Sequence, residues 1–318
     1  QGYLHVELDT DSSLLTTFAT PFARYRWTRL PFGLKVSSEI FQKRLQQALE
    51  GLDGVHCVAD DIIVHGSSDS DHDRNLRNLL IRCEEIGIKL NNQKCKFGLL
   101  EIPFLGHIVS KDGLKPDPEK IRAVLEMESP RDKAAVERLK GTVTYLARFV
   151  PNLTAVIRPI AQLTHQDEEW HWNEAQENAF VKLKKLLTEA PVLADFDHKK
   201  PLTIQCDASK NGLGAALLQD NRPIAYASRA LTDVETRYAI IEKEMLAIVF
   251  ALEKWHQYTY GRRITIQSDH RPLESITGKP LDRAPKRLQA MLLRALAYDI
   301  EVNYMPGKAM LLADTEPC

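Results

Sequence analysis

Hydrophobic and polar positions follow three successive rhythms along this chain of 318 residues. In residues 1–112, short apolar runs of period two are mixed with stretches of helical period. Residues 3–8 and 55–64 read as strands and 38–50 and 71–86 as helices. A further strand at 104–110 is closed by the turn sequence Lys111-Asp112-Gly113. Residues 117–190 read as wholly helical. Asp117-Pro118-Glu119 opens one helix with proline in its first turn, a second covers 133–149 and stops at Pro151, and a third covers 173–188 and stops before Pro191. Mixed structure returns over 200–304, with strands at 202–206, 215–219 and 224–227 separated by Asn211-Gly212 and Asn221-Arg222-Pro223. A long helix over 236–258, a strand at 264–268, a helix over 281–296 and a strand at 300–304 follow. Three hairpin-linked strands and then helix, strand, helix, strand predict a compact α/β or α+β unit.

The length calls for two or three compact units, and 44% hydrophobic with 27% charged residues supplies ordinary globular cores. No run approaches the roughly 20 apolar residues of a membrane span, and no signal-peptide pattern opens the chain. An intracellular protein with no membrane partner is expected. The five cysteines form no CxxC pair and no Cys/His spacing, which points to free thiols and away from zinc. A net charge of -1 decides nothing about nucleic acid, because the footprint of a binder is a local patch. Three basic clusters exist: Arg24-Tyr25-Arg26-Trp27-Thr28-Arg29, Lys182-Leu183-Lys184-Lys185 and Arg283-Ala284-Pro285-Lys286-Arg287. Each alone is also what a solvated face looks like. The first interleaves aromatics with arginines, which suits base stacking beside phosphate contact.

The candidate chemistry lies in carboxylates. Asp207 is expected directly after the strand 202–206 and Asp269 directly after the strand 264–268. Glu244 falls on one helical stripe with Ile240, Ala247, Ile248, Ala251 and Trp255, which turns it toward the core, while Glu242 reads as a solvated acid. Asp314 follows the last strand within Leu311-Leu312-Ala313-Asp314. Any one such Asp is more often a turn residue. Four converging acids suit hard Mg²⁺ or Mn²⁺ ions, two of them for phosphodiester chemistry. In the front half, Asp60 and Asp61 interrupt the apolar stretch 55–64, a placement that fits either a hairpin turn or a metal site.

Cys206-Asp207-Ala208-Ser209, Gly212-Leu213-Gly214-Ala215, Ile224-Ala225-Tyr226-Ala227-Ser228-Arg229, Glu242-Lys243-Glu244-Met245-Leu246-Ala247-Ile248-Val249 and Ser268-Asp269-His270 closely resemble the RNase H domain of gypsy-type LTR retrotransposon polyproteins. The resemblance covers residues 200–315 and implies that Asp207, Glu244, Asp269 and Asp314 are metal-binding acids. It implies hydrolysis of the RNA strand of an RNA–DNA hybrid, recognised through its backbone and 2′-hydroxyls.

Tyr25-Arg26-Trp27, Leu30-Pro31-Phe32-Gly33-Leu34, Phe41-Gln42, Asp60-Asp61-Ile62 and Phe104-Leu105-Gly106-His107-Ile108 resemble, in that order, the reverse transcriptase of the same family. By that resemblance Asp60 and Asp61 are catalytic metal ligands of a YxDD-type motif, with Val58 in place of its aromatic residue. Tyr3 screens the nucleotide sugar, Phe32 and Gly33 lie near the incoming nucleotide, and Leu105 and Gly106 form the primer grip. The implied architecture is an α/β and α+β multidomain chain. An incomplete reverse-transcriptase palm (1–115) and a helical thumb/connection (116–199) precede an RNase H-like domain with a mixed five-stranded sheet (200–318). The family's first catalytic aspartate would fall at position -2, five residues before Tyr3, and its fingers earlier still, so RNA-directed DNA polymerase activity is expected to be lost in this polypeptide. The family also continues as a helix beyond Asp314, where this chain ends in Thr315-Glu316-Pro317-Cys318. Three functions stay open on sequence: an RNase H nuclease with a polymerase remnant, a fragment of a full polymerase–nuclease, and an inactive nucleic-acid-binding remnant.

Overall fold

The computed structural model describes residues 2–166, 168–277 and 284–311. Residues 1–97 and 98–318 form two compact units. In the first, the alternating segment 3–8 is not the expected strand: Gly2–His5 is a 3-10 turn, and Glu7 makes an isolated bridge to Arg29. Alternation supplies a face, but a strand also needs a neighbour along its length to pair its backbone groups. After α1 (Thr10–Leu15) come the two-residue strands β1 (Phe18–Ala19) and β2 (Arg24–Tyr25) and helix α2 (Ser37–Ala48). The expected single strand over 55–64 is a hairpin, β3 (Val55–Val58) and β4 (Asp61–Val64), turned at Ala59-Asp60. Helix α3 (Asp69–Glu85) starts where the Ser68 side chain accepts from the Asp71 N–H. Leu45 and Leu49 of α2 and Leu79 and Cys83 of α3 form a small core over the apolar face of the hairpin, Val55, Cys57, Ile62 and Val64.

The second unit opens with an antiparallel meander, β5 (Glu101–Phe104), β6 (His107–Ser110) and β7 (Gly113–Pro116). The expected strand over 104–110 is thus split by a two-residue turn at Leu105-Gly106, both in the left-handed region with φ of 49° and 78°. Helices α4 (Pro118–Leu125), α5 (Lys133–Leu146), α6 (Leu153–Gln162) and α7 (Glu174–Thr188) follow. The fold of 117–190 is helical as expected, with α6 as an additional helix. A five-stranded sheet then forms from β8 (Leu202–Ala208), β9 (Gly212–Gln219) and β10 (Arg222–Ala230), and later β11 (Arg263–Ser268) and β12 (Asp299–Tyr304). Between them lie α8 (Ile240–Lys254), the short α9 (His256–Thr259), α10 (Pro272–Thr277) and α11 (Lys286–Ala295). The expected helix over 236–258 is therefore broken at both ends, by a 3-10 turn at Glu235–Arg237 and by the cap Trp255. The first residues of the expected helix 281–296 lie outside the described residues.

Strand order is β10-β9-β8-β11-β12, with β8, β11 and β12 parallel and β8, β9 and β10 antiparallel. This is the expected mixed sheet. Alternate side chains divide between two cores. On one face Leu202, Ile204, Cys206, Leu213, Ala215 and Leu217 pack against α8 and α11. On the other, Ala216, Leu218 and Tyr226 join Val143 of α5, Val156 of α6 and Leu183 of α7 in a second core. The helical segment and the sheet therefore share one interior. Thr154, near the start of α6, reinforces it: its N–H donates to the Ser228 hydroxyl at 3.0 Å. Among the described residues no helix is long and apolar enough to cross a membrane.

Candidate metal centre

Parallel strands β8 and β11 stay in register as far as Gln205 and Gln267. Beyond that pair they are no longer hydrogen-bonded to each other, and the end of an open parallel pair is where α/β sheets offer a crevice. Asp207 and Asp269 stand on either side of it. Asp269 directly follows β11, as read from sequence. Asp207 does not follow its strand but lies within it, paired with Gly214 of β9. The two-residue difference arises because the antiparallel ladder with β9 continues past the point where the parallel ladder with β11 stops.

Helix α8 brings the third acid from the core side. Glu244 is 3% exposed, and Ala247, Ile248, Ala251 and Trp255 are buried with it, but Ile240 of the expected stripe is 68% exposed. Glu242 is not the solvated acid expected. Its side chain is 12% exposed, accepts from the Ala239 N–H at the helix start, and pairs with Arg287 at 3.0 Å. Asp207, Glu244 and Asp269 each offer an oxygen such that all three atoms lie within 4.8 Å of one another. Among the described residues this is the one group of three or more His, Cys, Asp or Glu side chains so gathered. Asp314 lies outside the described residues. The last of them, Leu311, is held by its N–H on the Oε1 of Gln205 at 2.7 Å. Gln205 is 4% exposed and also donates to Gln267 Oε1 at 2.9 Å.

The acid cluster is electrostatically unfavourable by itself. Burial, followed by the charges of Asp207 and Asp269, holds the Glu244 carboxyl up to about 8, and a hydrogen bond from the Ala208 N–H opposes the rise. Burial, with Glu244 and Asp207 adding to it, also pushes the Cys206 thiol well above its ordinary range, so it stays protonated and inert. Glu244 Oε2 is buried without a hydrogen-bond partner. Such an orphan is costly unless something else satisfies it. Three hard carboxylate oxygens around it fit a divalent cation such as Mg²⁺ or Mn²⁺.

A pH dependence follows. Below about 4.5 the Glu244 carboxyl is protonated in folded and unfolded chains alike, whereas between about 4.5 and about 8 only the folded chain keeps the proton. The folded state then binds more protons, so metal-free stability should fall as pH rises through this window. Thermal melting in chelator at about pH 5 and about pH 8 should show the drop, and excess Mg²⁺ should remove most of it, because a bound cation favours the carboxylate. A melting temperature independent of pH in chelator would contradict the buried, crowded acid.

In the first unit, Asp60 and Asp61 occupy the exposed tip of the β3–β4 hairpin. The hairpin turn, one of the two sequence alternatives, is the observed conformation, and neither acid interrupts a buried strand. Gln42 grips this turn, donating to the Cys57 carbonyl at 3.0 Å and accepting from the Ala59 N–H at 2.5 Å. Tyr3 packs on Phe32 (ring centroids 5.1 Å apart) and Phe41 (5.5 Å), and a Cβ on Gly2 would come within 3.3 Å of Asp60 Oδ1. Tyr3, Phe32 and Asp60 are thus neighbours of one small region. Gly33 has φ of 87°, which favours glycine. Leu105 and Gly106 belong to the other unit, where the Tyr145 hydroxyl donates to the Leu105 carbonyl at 3.0 Å.

Of the basic clusters, Lys184 is spent on the Leu125 and Met127 carbonyls and the Phe180 ring, and Arg287 on Glu242 and the Tyr238 ring. Tyr25 and Trp27 of the first cluster are exposed and gather around Phe18 at 6.0 and 6.3 Å. Sequence reasoning missed Gln205 and Lys243. For Gln205 the available signal was a polar residue between the apolar Ile204 and Cys206, whereas Lys243, flanked by Glu242 and Glu244, offered none.

Residues 1–109 match the family model of reverse transcriptase (RNA-dependent DNA polymerase), and residues 172–266 match that of the RNase H-like domain found in reverse transcriptase. The retrovirus-related Pol polyprotein from transposon 297 of Drosophila melanogaster is 33% identical over 317 residues, covering 99% of this chain and 30% of the relative. The Pol polyprotein from transposon gypsy of the same organism is 34% identical over 329 residues, covering 98% of this chain and 32% of the relative. The chain thus spans about a third of the length of these relatives. A foamy viral protease-reverse transcriptase solved in complex with RNA/DNA hybrid has the same fold, with a TM-score of 0.84 at 23% identity over 100% of this chain and 44% of that one. Along nearly its whole length the chain is therefore similar to the Pol polyproteins of LTR retrotransposons, and it joins a segment matching reverse transcriptase to one matching the RNase H-like domain.

Proposed function

We propose that residues 200–318 form a ribonuclease that cuts the RNA strand of an RNA–DNA hybrid, following a palm segment (1–115) and a helical thumb/connection (116–199) of a reverse transcriptase. The observation that carries this reading is the convergence of Asp207, Glu244 and Asp269 at the diverging ends of two parallel strands. Asp207, Glu244 and Asp269 would hold two Mg²⁺ or Mn²⁺ ions, which supply Lewis-acid activation of water and neutralise charge developing at the phosphate. Asp314 is proposed as a fourth ligand. Leu311 is anchored two strand positions from Asp207, and three further residues reach at most about 11 Å.

The chain's own groups divide the remaining work. Strand β8 fixes Asp207 by its backbone ladder, so the carboxylate is aimed without help from solvent. Glu244 keeps a proton on its carboxyl when the crevice is empty of positive charge and releases it when the carboxylate is needed. Asp269 is exposed, on the side open to a large substrate. A hybrid would be recognised through its backbone and 2′-hydroxyls, and the foamy viral enzyme that shares this fold was solved in complex with RNA/DNA hybrid. In the first unit, Asp60 and Asp61 are read as polymerase metal ligands, with Tyr3, Phe32 and Gly33 beside the nucleotide; in the second, Leu105 and Gly106 are read as primer contacts. The gathering of Tyr3, Phe32 and Asp60 supports this.

The test uses a labelled RNA–DNA hybrid beside single-stranded RNA and duplex DNA of the same sequence, with Mg²⁺ or Mn²⁺. Cleavage confined to the RNA of the hybrid and stopped by chelator is expected. Equal cutting of single-stranded RNA, or cutting that persists in chelator, would sink the reading.

A further inference from the structure

Lys243 of α8 takes hold of the turn that follows β8, donating from Nζ to the Lys210 carbonyl at 3.1 Å. Here the chain reverses into β9 through a turn closed on itself. The Ser209 N–H donates to the Gly212 carbonyl at 2.9 Å, and the Ser209 hydroxyl accepts from the Gly212 N–H at 3.0 Å. Lysine is almost never fully buried unless its ammonium has a partner, and Lys243 is only 8% exposed. Next to a site that collects cations, a buried ammonium is an electrostatic liability unless it does something the site needs.

We propose that Lys243 is a positioning residue for the acid cluster: by tying the Lys210 carbonyl to α8 it keeps the end of β8 against the helix and Asp207 within reach of Glu244. Three carboxylates within 4.8 Å repel one another before any cation arrives. The strand end bearing Asp207 has lost its parallel partner at this point, so β11 does not hold it back. The Lys243 bond uses none of the three carboxylates, so it leaves the turn fastened while a cation claims them, which keeps the ligand set preorganised. This rests on the reading of the cluster as a divalent-cation site.

Mn²⁺ binding to the full chain, followed by electron paramagnetic resonance, tests the idea apart from hybrid cleavage. Lys243→Met should raise the Mn²⁺ dissociation constant at least about fivefold, and Lys243→Arg, which keeps a charged donor, should stay within about twofold of the parent chain. Hydrogen exchange at the amides of residues 209–212 should quicken in Lys243→Met only. If Lys243→Met does not fold, Lys243→Gln serves as the uncharged variant, with the same loss expected. Parent-like Mn²⁺ affinity in the uncharged variant overturns the proposal, as does weakened binding in Lys243→Arg equal to that in Lys243→Met. If the parent chain binds Mn²⁺ no better than Asp207→Asn, the cation-site reading fails and the proposal falls with it. Mn²⁺ binding that depends on Asp207 and Lys243 without hybrid cleavage would leave this inference standing and remove only the substrate.

Discussion

Replacing Asp207 by asparagine is expected to lower cleavage of an RNA–DNA hybrid at least about a thousandfold, equivalent to about 4 kcal/mol of transition-state stabilisation. The substitution is nearly isosteric and leaves the strand's backbone pairing with Gly214 in place, so the loss reports the carboxylate and not the fold. Its second signature runs the opposite way. Asp207 is one of the charges that hold the Glu244 carboxyl up, so the variant should relieve repulsion and melt at the same temperature as the parent or higher in chelator. Low activity joined to undiminished stability separates a cation ligand from a structural acid. Hybrid cleavage by Asp207→Asn at the parental rate would remove Asp207 from the site.

Residues 200–318 expressed without the preceding helices are expected to lose cooperative folding, although the RNase H-like resemblance begins at residue 200. The reason lies in the second core, where Leu218, Tyr226 and Met310 of this segment are buried together with residues of α5, α6 and α7. Exposing Leu218 and Met310 alone would forfeit about 3–6 kcal/mol, against a typical domain stability of about 5–15 kcal/mol. The hydrogen bond between Thr154 and Ser228 and the backbone bond from Ala194 N–H to the Pro223 carbonyl would go as well. Residues 98–318 should melt in one sharp transition, while 200–318 should melt broadly and bind a hydrophobic dye. A sharp transition of 200–318 at the temperature of the longer segment would show that the sheet does not need its helical layer.

Sequence patterning went furthest where one physical signal dominated. Strands β8, β9 and β10 are separated by Asn-Gly and Asn-Arg-Pro turns and α8 carries an apolar stripe, and period and turn are both local properties. Helix α6 was missed because Pro151 reads as a stop and Pro159 lies inside it. Burial of Leu153, Val156 and Ile160 in the second core outweighs the proline, and that burial is not visible along the chain. Residues 3–8 show the converse, a strand pattern without a strand's neighbours. At the candidate site, the order Asp207, Glu244, Asp269 was legible from motif and period, but their approach to 4.8 Å depends on where two ladders stop. Glu242 was misjudged because helical periodicity places it opposite Glu244 and cannot show that Arg287 arrives there from α11.

Strand β9 is buried along its whole length, with Leu213, Ala215 and Leu217 in one interior and Ala216 and Leu218 in the other. Small residues make this possible: Gly214 leaves so little room that any Cβ would strike Asn152 at the start of α6. The same glycine is the ladder partner of Asp207. A sheet one residue thick is therefore all that separates the acid-bearing helix from the helical layer. Mutational drift in that layer is transmitted to the acids through a single backbone. Copies of such an element that accumulate changes in α5–α7 would lose the geometry of the cluster while every one of its carboxylates remained in the sequence.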